Sequence, residues 1–373
     1  MTERKQLKII FAVTNDLNQD QRMHRICNAL QDAGYKIQLI GRKKRSSALL
    51  YPQKFMQKRI RCFFQKGFLF YAEYNIRLFC LLLFHSFDAV CSIDYDTLPA
   101  CTFVSQIKSK RLIFDAHEYF TEVPELKDRP FVKRIWTCIG NLCIPKSHLN
   151  YTVNKSLAEI FTKLHGSQFH YVYNAPEWTE KKANTPYSED RKWVLLYQGM
   201  LNEGRCLGSM IRAMEFLPEC ELHLAGEGDL SDSLRAYTGT LKYSDRIKFL
   251  GWQNPELLKK ITVDADLGIN LLSDTSLNNY YSLANKFFDY MHAEVPSVNM
   301  NFPEYRNIIS KYHIGILLES AEPAYVAEQI RTLIDTPAVY HKMQKNCIPA
   351  SKEFNWQNES EKLLDLFRGL LKS

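Results

Sequence analysis

The chain has 373 residues, 46% hydrophobic and 24% charged, proportions that exclude wholesale disorder and a membrane-embedded fold and suggest two domains of ordinary size. Its formal charge of +7 is uneven: the first 150 residues hold 24 Lys and Arg against 13 acids, the remainder 24 against 28. That imbalance suggests a polyanion beside the N-terminal part (nucleic acid, anionic lipid headgroups or a phosphorylated substrate), with a solvated basic surface as the plain alternative.

In chain order, residues 1–8 are polar and lead straight into a strand, which reads as no secretory signal. Residues 7–13 (LKIIFAV) form a strand buried on both faces. Residues 20–33 follow as an amphipathic helix, with Asp20 as N-cap and Gly34 as stop, and 36–40 as a second strand. The longest apolar run, 78–84, is broken by Arg77, His85 and Asp88 and is too short to span a bilayer. Further strands are expected at 89–93, 111–114 and 149–153, and residues 171–176 (YVYNAP) read as a linker. A second series begins with a strand at 192–197 and a helix at 207–214. It continues with strands at 221–225, 247–249 and 267–271, a helix at 285–292 and a strand at 296–299. An amphipathic helix at 357–371 ends it. Ten cysteines without a CxxC pair, several of them inside apolar runs, act as small hydrophobes and suit a reducing cytoplasm. The alternation predicts two Rossmann-like α/β halves with a cleft between them.

In open parallel sheets ligands bind at the carboxyl ends of strands. The loop after the first strand, residues 14–20, has no glycine, which disfavours a nicotinamide dinucleotide site. Asp115-Ala116-His117-Glu118 puts three ionisable groups at one strand end. Gln198-Gly199 and Glu203-Gly204-Arg205 precede a helix, where small residues admit backbone amides and an Arg suits a phosphate. Gly226-Glu227-Gly228-Asp229 is another strand-end turn. The polar loop 276–284 enters a helix with Lys286 in its first turn, where a cation is disfavoured unless something negative is bound. Asp289 lies at i+3 on the same face and could accept two hydrogen bonds from a ribose diol.

Taken in order, YQGMLNEGR, LAGEGDL, FLGW, DADLGINLL, SLNNYYSLANKFFDYMHAEVPSV and FPEY resemble the retaining glycosyltransferases of glycosyltransferase family 4, and DAHE and VYNAPE resemble that family's first domain and hinge. The resemblance implies the GT-B fold, two facing Rossmann-like domains with an interdomain cleft. It divides the chain into an acceptor-binding domain (1–174), a nucleotide-sugar domain (175–350) and a C-terminal helix (351–373) packing back toward the first. It implies sugar transfer from a nucleotide-diphosphate sugar with retention, metal-independent and without a cofactor. Gly199, Arg205, Ala284, Asn285 and Lys286 would hold the donor diphosphate. Asp289 would bind the ribose, Gly226 and Glu227 would lie at the nucleoside, and His117 would be the catalytic-site histidine orienting the sugar. Two positions depart from the pattern: Tyr281 stands where the family has the first of two glutamates, and Met200 where it has an arginine. They keep open a non-catalytic nucleotide-sugar-binding or scaffold protein; within catalysis the alternative is a GT-B nucleotide-sugar epimerase, disfavoured because the resemblance follows transferase loops.

The first domain interleaves Arg42, Lys43, Lys44, Arg45, Lys54, Lys58, Arg59, Arg61 and Lys66 with Phe55, Phe63, Phe64, Phe68, Phe70 and Tyr71. Rings beside cations suit a membrane interface. The expectation is a cytoplasmic enzyme, peripheral at the inner face of the membrane, acting on a saccharide or lipid-linked acceptor in surface polysaccharide or glycolipid synthesis. No nucleic-acid motif accompanies the charge.

Overall fold

A computed structural model describes residues 6–180 and 191–372; of the polar stretch 1–8, residues 1–5 lie outside the described residues. The chain forms two compact units, Met1–Asn174 with Glu359–Ser373, and Ala175–Asn358.

The first unit is built on a seven-stranded sheet: β1 (Lys8–Ala12), β2 (Lys36–Lys43), β3 (Met56–Arg61), β4 (Ala89–Ile93), β5 (Arg111–Ala116), β6 (Leu149–Thr152) and β7 (Phe169–Tyr171). All pairings are parallel, in the order β3-β2-β1-β4-β5-β6-β7. The central strands read as unbroken hydrophobic runs because crossover helices cover both faces of a parallel sheet. Asp20 caps the helix Gln21–Asp32, its carboxylate accepting from the Met23 amide at 3.1 Å. Three strands are absent from the sequence expectation: β3 and β7 here, and Gly315–Leu318 in the second unit. β3 (MQKRIR) is an edge strand that exposes Lys58 and Arg61 beside Met56 and buries only Ile60, a charged composition that protects an edge from pairing but hides it from a hydrophobicity search.

The second unit carries β8 (Trp193–Gln198), β9 (Cys220–Ala225), β10 (Ile247–Gly251), β11 (Leu267–Asn270), β12 (Ser297–Met300) and β13 (Gly315–Leu318), again all parallel, in the order β10-β9-β8-β11-β12-β13. The switch points, where strand order reverses, fall between β1 and β4 in one unit and between β8 and β11 in the other.

The division between units falls at 358/359, inside the last helix, Trp356–Lys372, and not at 350/351. Its later turns pack on the first sheet: Phe367 is fully buried, with its ring centroid 6.2 Å from Phe11 and 6.3 Å from Tyr151. Glu359, also fully buried, accepts from the Tyr173 amide at 2.9 Å and from Lys362 at 2.6 Å. Among the described residues, no helix is long and apolar enough to cross a membrane.

Candidate functional site

At the switch point of the second unit, the loop leaving β8 is stapled to the loop leaving β9. The Gly199 amide donates to the Ala225 carbonyl at 2.9 Å, the Leu230 amide to the Leu201 carbonyl at 2.8 Å, and the Asp229 amide to Asn202 Oδ1 at 3.0 Å. Gly199 and Gly226 have φ of +127° and +146°, values favouring glycine, and a Cβ on Gly226 would lie 1.9 Å from the Gly199 carbonyl oxygen.

Into this backbone cradle comes Lys286 from the helix Asn285–His292. A Cβ on Gly199 would lie only 3.5 Å from its Nζ, and the ammonium sits 3.5 Å from the centroid of the Tyr197 ring. The loop carrying Arg205 is tied to the end of β11 by the Ser273 amide donating to the Gly204 carbonyl at 2.9 Å. Arg205 is close enough to influence Lys286, Tyr197 and Tyr305 electrostatically. Burial, and then the Arg205 guanidinium, push the Lys286 ammonium well below the usual lysine range, while Asp289 opposes them. Among the described residues neither cation forms a salt bridge. The helix behind Lys286 has no side-chain cap and no acid in its first turn; its N-cap, Ala284, donates its amide to the buried Tyr305 hydroxyl at 2.9 Å. Two unmatched cations at an uncapped helix start make a site for a strongly anionic group.

Asp289 is fixed one turn on by Gln198, whose Nε2 donates to Asp289 Oδ2 at 2.9 Å while its Oε1 accepts from Thr262 at 2.8 Å. Glu227 forms a two-point pair with Arg235, at 3.0 and 2.5 Å, and that pair with the Ser231 hydroxyl holds its carboxyl down at about 2. Its carboxylate is therefore engaged, which its expected nucleoside role did not anticipate. Met200 projects outward, 61% exposed, and only its carbonyl is used, by the Tyr197 hydroxyl at 2.7 Å. Tyr281 stands edge-on to Tyr280 at 5.0 Å, and Tyr280 packs on Phe302 at 5.0 Å, so the place of an expected acid is an aromatic wall.

In the first unit, His117 lies at the carboxyl end of β5, with Nε2 3.1 Å from Asp115 Oδ2 and its amide donating to Asp94 Oδ1 at 2.7 Å. Asp94 has φ of +52°, a strained value for a residue with a side chain. Burial raises its carboxyl well above the usual range, with His117 opposing. Asp96, whose carboxylate accepts from Thr14 of the β1 loop, is pushed by burial to about 7. Burial disfavours the charge on His117, but Asp115, the hydrogen bond to it and Asp94 outweigh burial and hold the ring at about 9. Asp94, Asp96 and Arg22 were missed from sequence; a strand-end SIDYD carries no spacing signal.

The model of the family described as Glycosyl transferases group 1 matches residues 179–354. The matched residues fall within the second unit, which is thus similar to the group 1 glycosyl transferases. Solved structures share the fold of both units. Sucrose-phosphate synthase (tll1590) from Thermosynechococcus elongatus superposes with a TM-score of 0.78 at 14% identity, covering 98% of this chain and 100% of that one. Anabaena Alr3699/HepE, solved with UDP and glucose, gives 0.75 at 14% identity over 97% and 99%. WaaG, a glycosyltransferase involved in lipopolysaccharide biosynthesis, gives 0.73 at 14% identity over 96% and 99%. These matches establish GT-B as the fold. Among curated proteins, no relative matches this chain in sequence.

Proposed function

We propose that the chain transfers a sugar, with retention at the anomeric carbon, from a nucleoside-diphosphate sugar held by the second unit to a saccharide or lipid-linked acceptor of surface polysaccharide or glycolipid synthesis. The observation that carries this reading is the pair Arg205 and Lys286, two unmatched cations at an uncapped helix start beside the Gly199 cradle. Preorganised cations stabilise charge where a diphosphate departs, so the reading assigns that task to the protein and not to a metal. Gly199, Ala284, Asn285 and Lys286 would surround the diphosphate, with Arg205 gripping it through its fork. Asp289, oriented by Gln198, would take the ribose. Gly226 would border the nucleoside, and His117 would orient the transferred sugar. That UDP-bound Alr3699/HepE shares the fold favours a nucleotide donor.

A panel of nucleoside diphosphates and their sugars is the direct test. The cognate donor, at about 100 times its Kd, should stabilise the protein by about 2.7 kcal/mol. Nucleoside diphosphate should be released only when acceptor is present, and EDTA should leave the rate unchanged. Saturable binding with no release under any acceptor would favour the scaffold reading; sugar interconversion without acceptor would favour an epimerase.

The membrane side of the reading rests on a narrower surface than the sequence suggested. Phe55 and Phe70 are buried, Arg42 stacks on Phe70 and donates to Gln65 at 2.7 Å, and Arg59 pairs with Asp16, so these four serve folding. Phe63, Phe64 and Phe68 remain exposed at the start of the helix Gly67–Leu83. Tyr71, edge-on to Trp136 at 5.2 Å, brings that start beside the helix Pro130–Cys143, which adds exposed Phe131 and Val132 with Arg129 and Arg134. We expect the chain to float with vesicles containing anionic lipid at low salt, and Phe68→Ser with Phe131→Ser to weaken flotation about tenfold or more. No flotation of the parent protein at low salt would remove the membrane from the reading.

A further inference from the structure

A line of charge runs through the first unit from the helix Gln21–Asp32 to His117. Arg22, only 5% exposed, donates from one terminal nitrogen to the Val172 carbonyl at 3.1 Å and from the other to Asp115 Oδ1 at 3.2 Å. The second Asp115 oxygen lies 3.1 Å from His117 Nε2. The backbone is locked as well, since the Asp94 amide donates to the Asp115 carbonyl at 2.9 Å and Asp94 Oδ1 holds the His117 amide. Nδ1 has no hydrogen-bond partner among the described residues, and the side chain is 17% exposed.

We propose that Arg22 and Asp115 are positioning residues that hold His117 as a hydrogen-bond donor through Nδ1, directed at an oxygen of the transferred sugar or of its acceptor. The substrate half of this statement rests on the function proposed above; the relay does not.

The chemistry follows from what each group can offer. An ionised carboxylate only accepts hydrogen bonds, so the Asp115 oxygen requires a proton on Nε2. A fully buried carboxylate costs several kcal/mol to desolvate unless it is matched on both sides. Arg22 supplies the second match, and its fork is pinned to the Val172 carbonyl, which fixes the Asp115 rotamer and therefore the ring plane. The groups around His117 are Asp115 on its own strand, Asp94 and Asp96 from the end of β4, Glu118 beside it, and Arg22 opposing them from its helix. Asp115, its hydrogen bond and Asp94 outweigh burial and Arg22, so the imidazole stays charged through neutral pH and cannot serve as a base. It donates, and activity is lost as pH rises through about 9, where the ring deprotonates.

The full chain gives two readouts. In nitrogen-resolved NMR, wild-type His117 keeps both ring protons until about pH 9. Asp115→Asn moves that titration down. Arg22→Met moves it up, because the guanidinium opposes the imidazolium. In transfer assays, His117→Gln lowers kcat about 100-fold. Arg22→Met lowers kcat about tenfold or more with the donor KM unchanged, and Arg22→Lys recovers part of the loss. A residue that merely supported the fold would not raise the ring's titration while lowering kcat. If Arg22→Met fails to fold, Arg22→Lys and the NMR titration of the wild type carry the test. A wild-type ring titrating near its ordinary 6.5, or Arg22→Met with undiminished kcat, overturns the proposal. The expected titrations in a chain that transfers no sugar would support the relay and sink the functional reading alone.

Discussion

Replacing Lys286 by Met should lower kcat/KM for the donor by about 10²–10³-fold and abolish the thermal shift given by a nucleoside diphosphate, while leaving the fold intact. Fold and function separate here because, among the described residues, the ammonium makes no salt bridge; it rests on the Tyr197 ring face beside Gly199. A methionine fills the same space without a charge, and an uncharged chain suits that half-buried position at least as well. The same site predicts proton uptake. Without ligand, burial and Arg205 hold the ammonium well below the usual lysine range; a bound diphosphate brings compensating negative charge and restores its proton affinity. Binding therefore increases the number of protons bound, so donor affinity falls as pH rises from the free-state value toward the bound one. Calorimetry in two buffers of different ionisation enthalpy should show proton uptake in the wild type and none in Lys286→Met. Equal observed heats for the wild type in the two buffers, or a variant that binds as well as the parent, would place the diphosphate elsewhere.

Gly226→Ala should be the most damaging small substitution in the second unit. Its φ of +146° is accessible to glycine and strained for alanine, and the added methyl would stand 1.9 Å from the Gly199 carbonyl oxygen, a backbone atom that cannot rotate aside. Strain of this kind costs about 1–3 kcal/mol before the loop is displaced. A loss of about 3 kcal/mol lowers the Tm of a unit this size by about 6–12 °C. Donor binding should fall as well, since moving Gly199 moves the cradle against which Lys286 rests. Gly34→Ala is the control: its φ of +95° is also positive, but nothing lies within 4 Å of the added methyl. It should cost only the backbone term and leave donor binding alone. Equal effects from the two substitutions would mean that strain alone, and not the stacking of the two loops, explains Gly226.

What could be read in advance divides along physical lines. Most strands and the helix Asn285–His292 were legible, because burial on both faces of a parallel sheet writes near-continuous apolar runs and a covered helix writes a 3.6-residue period. The cation at that helix start was legible too, because a lysine placed against the dipole contradicts local preference and so points outside the helix. The edge strand β3 was not, since its solvent-facing charges erase the pattern that hydrophobicity detects.

The partners of the site residues were beyond reach of any local rule. Gln198 meets Asp289 across 91 residues, and Arg22 meets Asp115 across 93. Such pairs exist only because parallel crossovers return distant strand ends to one edge of a sheet. Packing also turns Met200 to solvent and raises Asp96 to about 7, while Glu227 is engaged by Arg235 only eight residues on. By itself the sequence determined the elements, the loops that follow them and the charge each loop carries, since these depend on neighbours within a few residues. The tertiary structure alone decided which of those charges are matched, which are buried and which remain for a ligand, because matching and desolvation depend on distances that only packing sets.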